Sequence, residues 1–180
     1  MFYFKKILLL FAIIFLPNIA KSEFSQPVIN SLQICKAMNA ITTPDSRFII
    51  NNNGTVSDKQ TGLMWKRCSE GQNNTDCSGS AINYTWKNAL QQANAVNNNG
   101  GFAGYNDWRI PNAKELFSIV EDQCYFPSIN VKIFPNTPNY YFWSSTSNSN
   151  ISNAVFLVFF GNGSSAMLTK DSGLGVRLVR

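Results

Sequence analysis

Hydrophobic and polar positions divide the chain into stretches of different period. An uninterrupted apolar run covers Ile7 to Leu16. From Arg47 onward, short apolar-rich segments alternate with polar turns: Arg47-Phe-Ile-Ile50, Asn51-Asn-Asn-Gly54, Thr55-Val-Ser57, Asp58-Lys-Gln-Thr-Gly62 and Leu63-Met-Trp-Lys66. This predicts strands, the last two closed into a hairpin. Trp86, Ala89, Leu90, Ala93 and Val96 then fall on one helical face. Thr85 is placed to cap that helix, and Asn97-Asn-Asn-Gly-Gly101 ends it with residues that tolerate positive φ. Asn112, with Glu115 three residues on, predicts a capping box opening a second helix that carries Leu116, Phe117, Ile119 and Val120 and closes at Asp122 and Cys124. Glu121 and Asp122, at its end, read as solvated acids.

From Tyr140 the period changes back to strand. Tyr140-Tyr-Phe-Trp-Ser144 is one segment, and Ala154-Val-Phe-Leu-Val-Phe-Phe160 has the length and continuity of a strand buried on both faces. Gly161-Asn-Gly163 reads as a turn, Ser165 to Thr169 as a strand, Asp171-Ser-Gly173 as a turn and Gly175 to Arg180 as a final strand. In that strand Arg177 alternates with Val176 and Leu178 and is expected to face away from them. Strands at both ends with two helices between them predict an α+β domain with a mostly antiparallel sheet.

The N-terminal run changes how charge is read. Lys5 and Lys6 precede it, and Ala20 and Ser22 supply a small-x-small pattern after it, so residues 1–22 are expected to be a cleavable signal peptide. The mature chain then begins near Glu23 as a soluble protein that is secreted, periplasmic or on the cell surface. Of 15 Lys+Arg and 10 Asp+Glu, three cations leave with the leader, and a balance of +5 falls to about +2. Without a Lys/Arg run or basic-aromatic interleaving, nucleic acid is not an expected partner. About 158 residues remain, enough for one domain with a true core.

Four cysteines behind an export signal favour disulfides over a metal site, since the compartment is oxidising and no C-x-x-C pair is present. Cys68 and Cys77 flank a polar loop and are expected to close it, which leaves Cys35 for Cys124. That second bridge would tether an N-terminal extension, residues 23–46, to a domain spanning 47–180. Loop-closure entropy assigns about 2.5–3 kcal/mol to the short loop and about 4.5 kcal/mol to the long one. The chain has no histidine, which removes His-dependent nucleophile activation and His-containing metal sites. The acids are dispersed, no calcium loop or phosphate-cradling loop is present, and neither a cofactor nor a metal is expected. The chain reads as a non-enzyme.

Several stretches together carry a resemblance. Asn53-Gly-Thr-Val-Ser-Asp-Lys-Gln-Thr-Gly-Leu-Met-Trp-Lys-Arg-Cys68, Tyr84-Thr-Trp86, Gly101-Phe-Ala-Gly-Tyr-Asn-Asp-Trp-Arg-Ile-Pro-Asn112, Lys114-Glu-Leu116, Phe142-Trp-Ser-Ser145 and Val176-Arg-Leu-Val-Arg180 occur in the order seen in the Lcl C-terminal domain family. This bacterial family is named for a collagen-like adhesin of Legionella, and the chain resembles it over roughly 47–180. The departures lie late: Val155-Phe-Leu-Val-Phe-Phe160 stands where relatives tend to show Trp-aromatic-Val-Asn-Phe, and Ser164 to Gly175 is poor in aromatics. The resemblance implies a C-type-lectin-like fold and an adhesin-type, non-catalytic module recognising extracellular, sulfated or acidic, glycans. A structural or protein-interaction role in a surface or pilus-like assembly is the alternative. The fold is also related in outline to the sulfatase-modifying enzymes, whose chemistry needs reactive cysteines; here all four are assigned to bridges.

Trp65, Trp86, Trp108 and Trp143 sit in apolar patterns and are expected to pack in the core, while Arg109 is expected to satisfy carbonyls or an acid within a turn. The ligand candidates are the exposed-looking cations Lys66, Arg67, Lys87 and Lys114. An anionic glycan needs several such charges within a Debye length of one another.

Overall fold

The computed structural model describes residues 33–37 and 40–180, so the leader expected at 1–22 lies outside the described residues. The N-terminal strand β1 (Ile34–Cys35) pairs antiparallel with β5 (Cys124–Tyr125), which sets Cys35 opposite Cys124, and the two are bridged. Gln33 Nε2 donates to the carbonyls of Pro127 and Ile129, extending that attachment.

A first antiparallel sheet has the order β2 (Phe48–Ile50), β3 (Thr55–Asp58), β4 (Met64–Lys66). The expected hairpin is present, with Val56 opposite Trp65. Its turn is fixed by Asp58, which receives Arg47 Nε at 2.8 Å and Nη2 at 2.5 Å and also accepts from Gln60 N and Thr61 Oγ1. Burial alone would raise the Asp58 carboxyl, but the Arg47 guanidinium and the turn hydrogen bonds outweigh it and hold it below the usual carboxylate range.

Helix α1 (Trp86–Asn98) starts where expected, with Thr85 Oγ1 accepting from Asn88 N, and it buries Ala89 and Ala93. Helix α2 (Ala113–Phe117) has the full capping box between Asn112 and Glu115 but is shorter than the sequence predicts. Ile119 and Val120 lie beyond it, buried in the core, and Val120 bridges to Ile129 instead of continuing the helix. Glu121 is not a solvated acid. Its carboxylate accepts from the backbone N–H and hydroxyl of both Thr42 and Thr43 and from Gln123 N. Those long-range bonds draw the chain out of helical geometry and pin the segment before β2.

The second antiparallel sheet is β6 (Tyr141–Ser147), β7 (Ala154–Phe159) and β8 (Ser164–Thr169), with β7 in the middle. Ala154, Val155, Leu157 and Val158 are all buried, which confirms burial on both faces of β7. β8 forms the outer edge and is largely exposed.

The tail expected as a final strand is instead an extended seam joined to its neighbours by single bridges. Gly175 exchanges backbone hydrogen bonds with Tyr141 and Trp143 of β6. Val176, Leu178 and Arg180 then accept from Glu70, Lys66 and Met64, while Val179 pairs with Arg109. Because structure lies on both sides of the seam, residues 174–179 are buried without alternation. Arg177 therefore does not reach solvent as the alternation predicts. It is fully buried, donates to the carbonyls of Lys66 and Arg67 and to the hydroxyls of Ser69 and Thr137, and lies 4.8 Å from the Phe134 ring centroid. Burial pushes its guanidinium down to about 9, still charged at neutral pH. The result is an α+β fold, mostly antiparallel, with two helices between its strands.

Candidate ligand-binding site

The four cations singled out by sequence differ in burial and in their partners. Lys66 is buried, not exposed: its Nζ lies 2.6 Å from Glu70 Oε1 and 4.5 Å from the Phe102 ring centroid. The reason is the C-terminal seam, which covers the edge of β4, and the Glu70 and Phe102 side chains, which cover the ammonium. Arg67, one residue on, is half-buried and donates through Nε to the Ile133 carbonyl and through Nη2 to that of Lys132. Lys87 is exposed on α1 and Lys114 is exposed on α2.

The tryptophans and Arg109 follow expectation more closely. Trp65, Trp108 and Trp143 are buried, whereas Trp86 is half-buried with Lys170 Nζ 4.8 Å from its ring centroid. Arg109 forms a bidentate pair with Glu115 at 2.7 and 2.8 Å, which is the acid-pairing role expected of it. Cys68 is bridged to Cys77, closing the polar loop.

Concave surface is gathered around the β2–β3 turn and takes in Arg67 and Lys66 from that set. A cleft of about 410 Å³ is lined by Ile50, Asn51 to Gly54, Arg67, Asn74, Thr75 and Phe102. It shares Asn74 and Phe102 with a neighbouring cleft of about 440 Å³ that reaches Lys66, Glu70, Tyr84 and Gln92. In that neighbour Gln92 Nε2 donates to Glu70 Oε2, and burial, with the Glu70 charge, raises the Tyr84 phenol. On the other side Ile50 to Asn53 also border an opening towards Ser57, Met64 and Tyr105. The three form one continuous, Asn-rich surface.

Local sequence explains how this surface is held together. Phe102 and Tyr105 exchange backbone hydrogen bonds across a tight turn with positive φ at Ala103 and Gly104, and Trp108 Nε1 donates to the Phe102 carbonyl. Phe102 also meets Trp108 edge to face at 5.8 Å. Gly54 has φ +81, and a Cβ there would stand 2.9 Å from the Asn74 carbonyl oxygen and 3.0 Å from Phe102 Cζ, so glycine permits the close approach of all three. At the Tyr105 end, the Arg180 guanidinium sits 3.7 Å from the ring centroid and pairs with Asp107.

Sequence reasoning passed over these residues, because an Asn triplet between two strands reads first as a turn. The available signal was that the triplet ends on Asn53, where the first stretch carrying the family resemblance begins, and that the Gly-Phe-Ala-Gly segment lies within another such stretch. Among the described residues, no group of three or more Cys, Asp or Glu side chains converges on a metal position.

The model of the Lcl C-terminal domain matches residues 54–180, which includes β3 and β4 of the first sheet, the whole second sheet, both helices and every residue of the seam. No curated protein matches the chain.

Proposed function

Because the chain belongs to the Lcl C-terminal domain family, we propose that it is an adhesin-type, non-catalytic binding module whose ligands are extracellular glycans. The observation that carries this reading is the continuous open surface over the Asn51–Asn53 turn, where amides and an aromatic ring are held in place by the fold. Two disulfides fit an oxidising, extracytoplasmic setting. No helix among the described residues is long and apolar enough to cross a membrane. The C-type-lectin-like arrangement implied by the family is part of the proposal and is supported by two antiparallel three-stranded sheets combined with two helices.

Sulfated or acidic glycans would draw on Arg67, Lys87 and Lys114, with Lys66 contributing little because Glu70 neutralises it. A glycan array probed with the mature chain at low and high salt tests the reading. Binding to at least one glycan class is expected, and failure to bind any glycan at low salt overturns it.

A second reading, a protein-interaction part of a surface assembly, is favoured by β8. This edge strand exposes Met167 and Leu168 and carries no proline or charge within Ser164–Thr169 to discourage pairing. Self-association abolished by Leu168→Lys, in a chain that binds no glycan, would select it.

A further inference from the structure

The hydrogen bonds around Thr55 determine which way two amides face. The Thr55 backbone N–H needs an acceptor, and it meets Asn53 Oδ1 at 3.3 Å, so that atom is the oxygen. The Thr55 hydroxyl, 2.7 Å from the same oxygen, must therefore donate to it. Having given its one hydrogen, that hydroxyl can only accept from Asn51, whose Nδ2 lies 2.8 Å away and also donates to Ser57 Oγ at 3.0 Å. Asn51 consequently presents its Oδ1 acceptor away from this network, and Asn53 its Nδ2 donor.

The remaining lining fits the same kind of ligand. A fixed acceptor and a fixed donor two residues apart match neighbouring hydroxyl groups, each of which can both donate and accept. Ile50 and Phe102 add apolar surface for a ring's C–H face, and a cleft of about 410 Å³ is of ligand size. Charge argues against a polyanion here. Arg67 is the one cation lining this cleft, and two of its nitrogens are tied to the carbonyls of residues 132 and 133. The adjacent Lys66 is paired with Glu70.

We propose that the cleft between Asn51, Asn53, Asn74 and Phe102 is a subsite for a neutral, hydroxyl-rich sugar unit, bound through vicinal hydroxyls and apolar contact with Phe102. This rests on the glycan reading above and names the location and chemistry of the site.

The test is calorimetric titration of the mature chain with neutral oligosaccharides of glucose, mannose, galactose and N-acetylglucosamine, at low and high salt. At least one binds, with affinity changing by less than about twofold with salt, since no ion pair is made. Asn53→Asp keeps the oxygen that Thr55 requires but removes the outward donor, so it weakens binding by about tenfold or more at unchanged melting temperature. Phe102→Ala has a similar effect, and Phe102→Leu, which preserves more of the packing, recovers part of it. Lys59→Gln, at an exposed position outside the cleft lining, leaves neutral-sugar binding unchanged. Wild-type affinity in folded Asn53→Asp overturns the subsite. Binding confined to sulfated glycans, abolished by Lys87→Gln combined with Lys114→Gln, overturns it too while leaving the glycan reading intact. No binding to any glycan overturns both.

Discussion

At Arg177 a charged group has no exposed surface, and two carbonyls, two hydroxyls and an aromatic ring surround it. Arg177→Met keeps the length of the side chain but leaves those buried acceptors without their donor. It is expected to lower stability by about 3–5 kcal/mol, measured by urea unfolding. Glu121 poses the opposite-charge problem. Burial alone raises its carboxyl, yet hydrogen bonds from the Thr43 hydroxyl and from the backbone of Thr42, Gln123 and Thr43 hold it below the ordinary value. A depressed carboxyl contributes stability that is complete above the unfolded value, about 4.3, and is lost as pH falls through the folded value. Wild-type stability should therefore decline as pH drops below about 5. Glu121→Gln should be less stable at pH 7 and lose less than wild type over that acid range, as followed by denaturant midpoints. An equal acid loss in both proteins would assign the effect to other carboxylates such as Asp58.

Elements whose information is local could be read directly from the sequence. The hairpin at 55–66 and helix α1 rest on turn residues, a cap and a repeated apolar face, all within a few positions of one another. The capping box of α2 was visible for the same reason. Asn112→Ala is expected to cost about 1 kcal/mol, read from thermal or urea unfolding, because it leaves Glu115 N without its side-chain acceptor. The early end of α2 was not visible, since it depends on partners 78 and 79 positions away at Thr43 and Thr42. Lys66 and Arg177 were misread for a related reason. Alternation assigns one face to solvent, but β4 and the seam have neighbours on more than one side. The Asn51–Asn53 turn was legible as a turn, and its amide orientations were not, because they follow from a network with Thr55 and Ser57 that appears only once the strands pair.

For the molecule as a whole, the two bridges act over very different spans. Cys35–Cys124 closes a separation of 89 residues and Cys68–Cys77 one of 9. Replacing the long-range pair by serines should cost about 4–5 kcal/mol and the short-range pair about 2.5–3 kcal/mol, compared by denaturant unfolding of the two double variants. The reverse order would show that native-state contacts, not loop closure, dominate. The seam has a consequence for the order of events during synthesis. A chain that emerges N-terminus first offers β2 to β4 and α1 long before residues 174–180 exist. Until those residues arrive, the backbone N–H groups of Met64, Lys66 and Glu70 lack the acceptors they have in the finished fold. The first sheet can pair within itself, but the outer edge of β4 stays without those partners. Those three hydrogen bonds form only after the seam has emerged, so this edge of β4 is completed by residues far downstream of it.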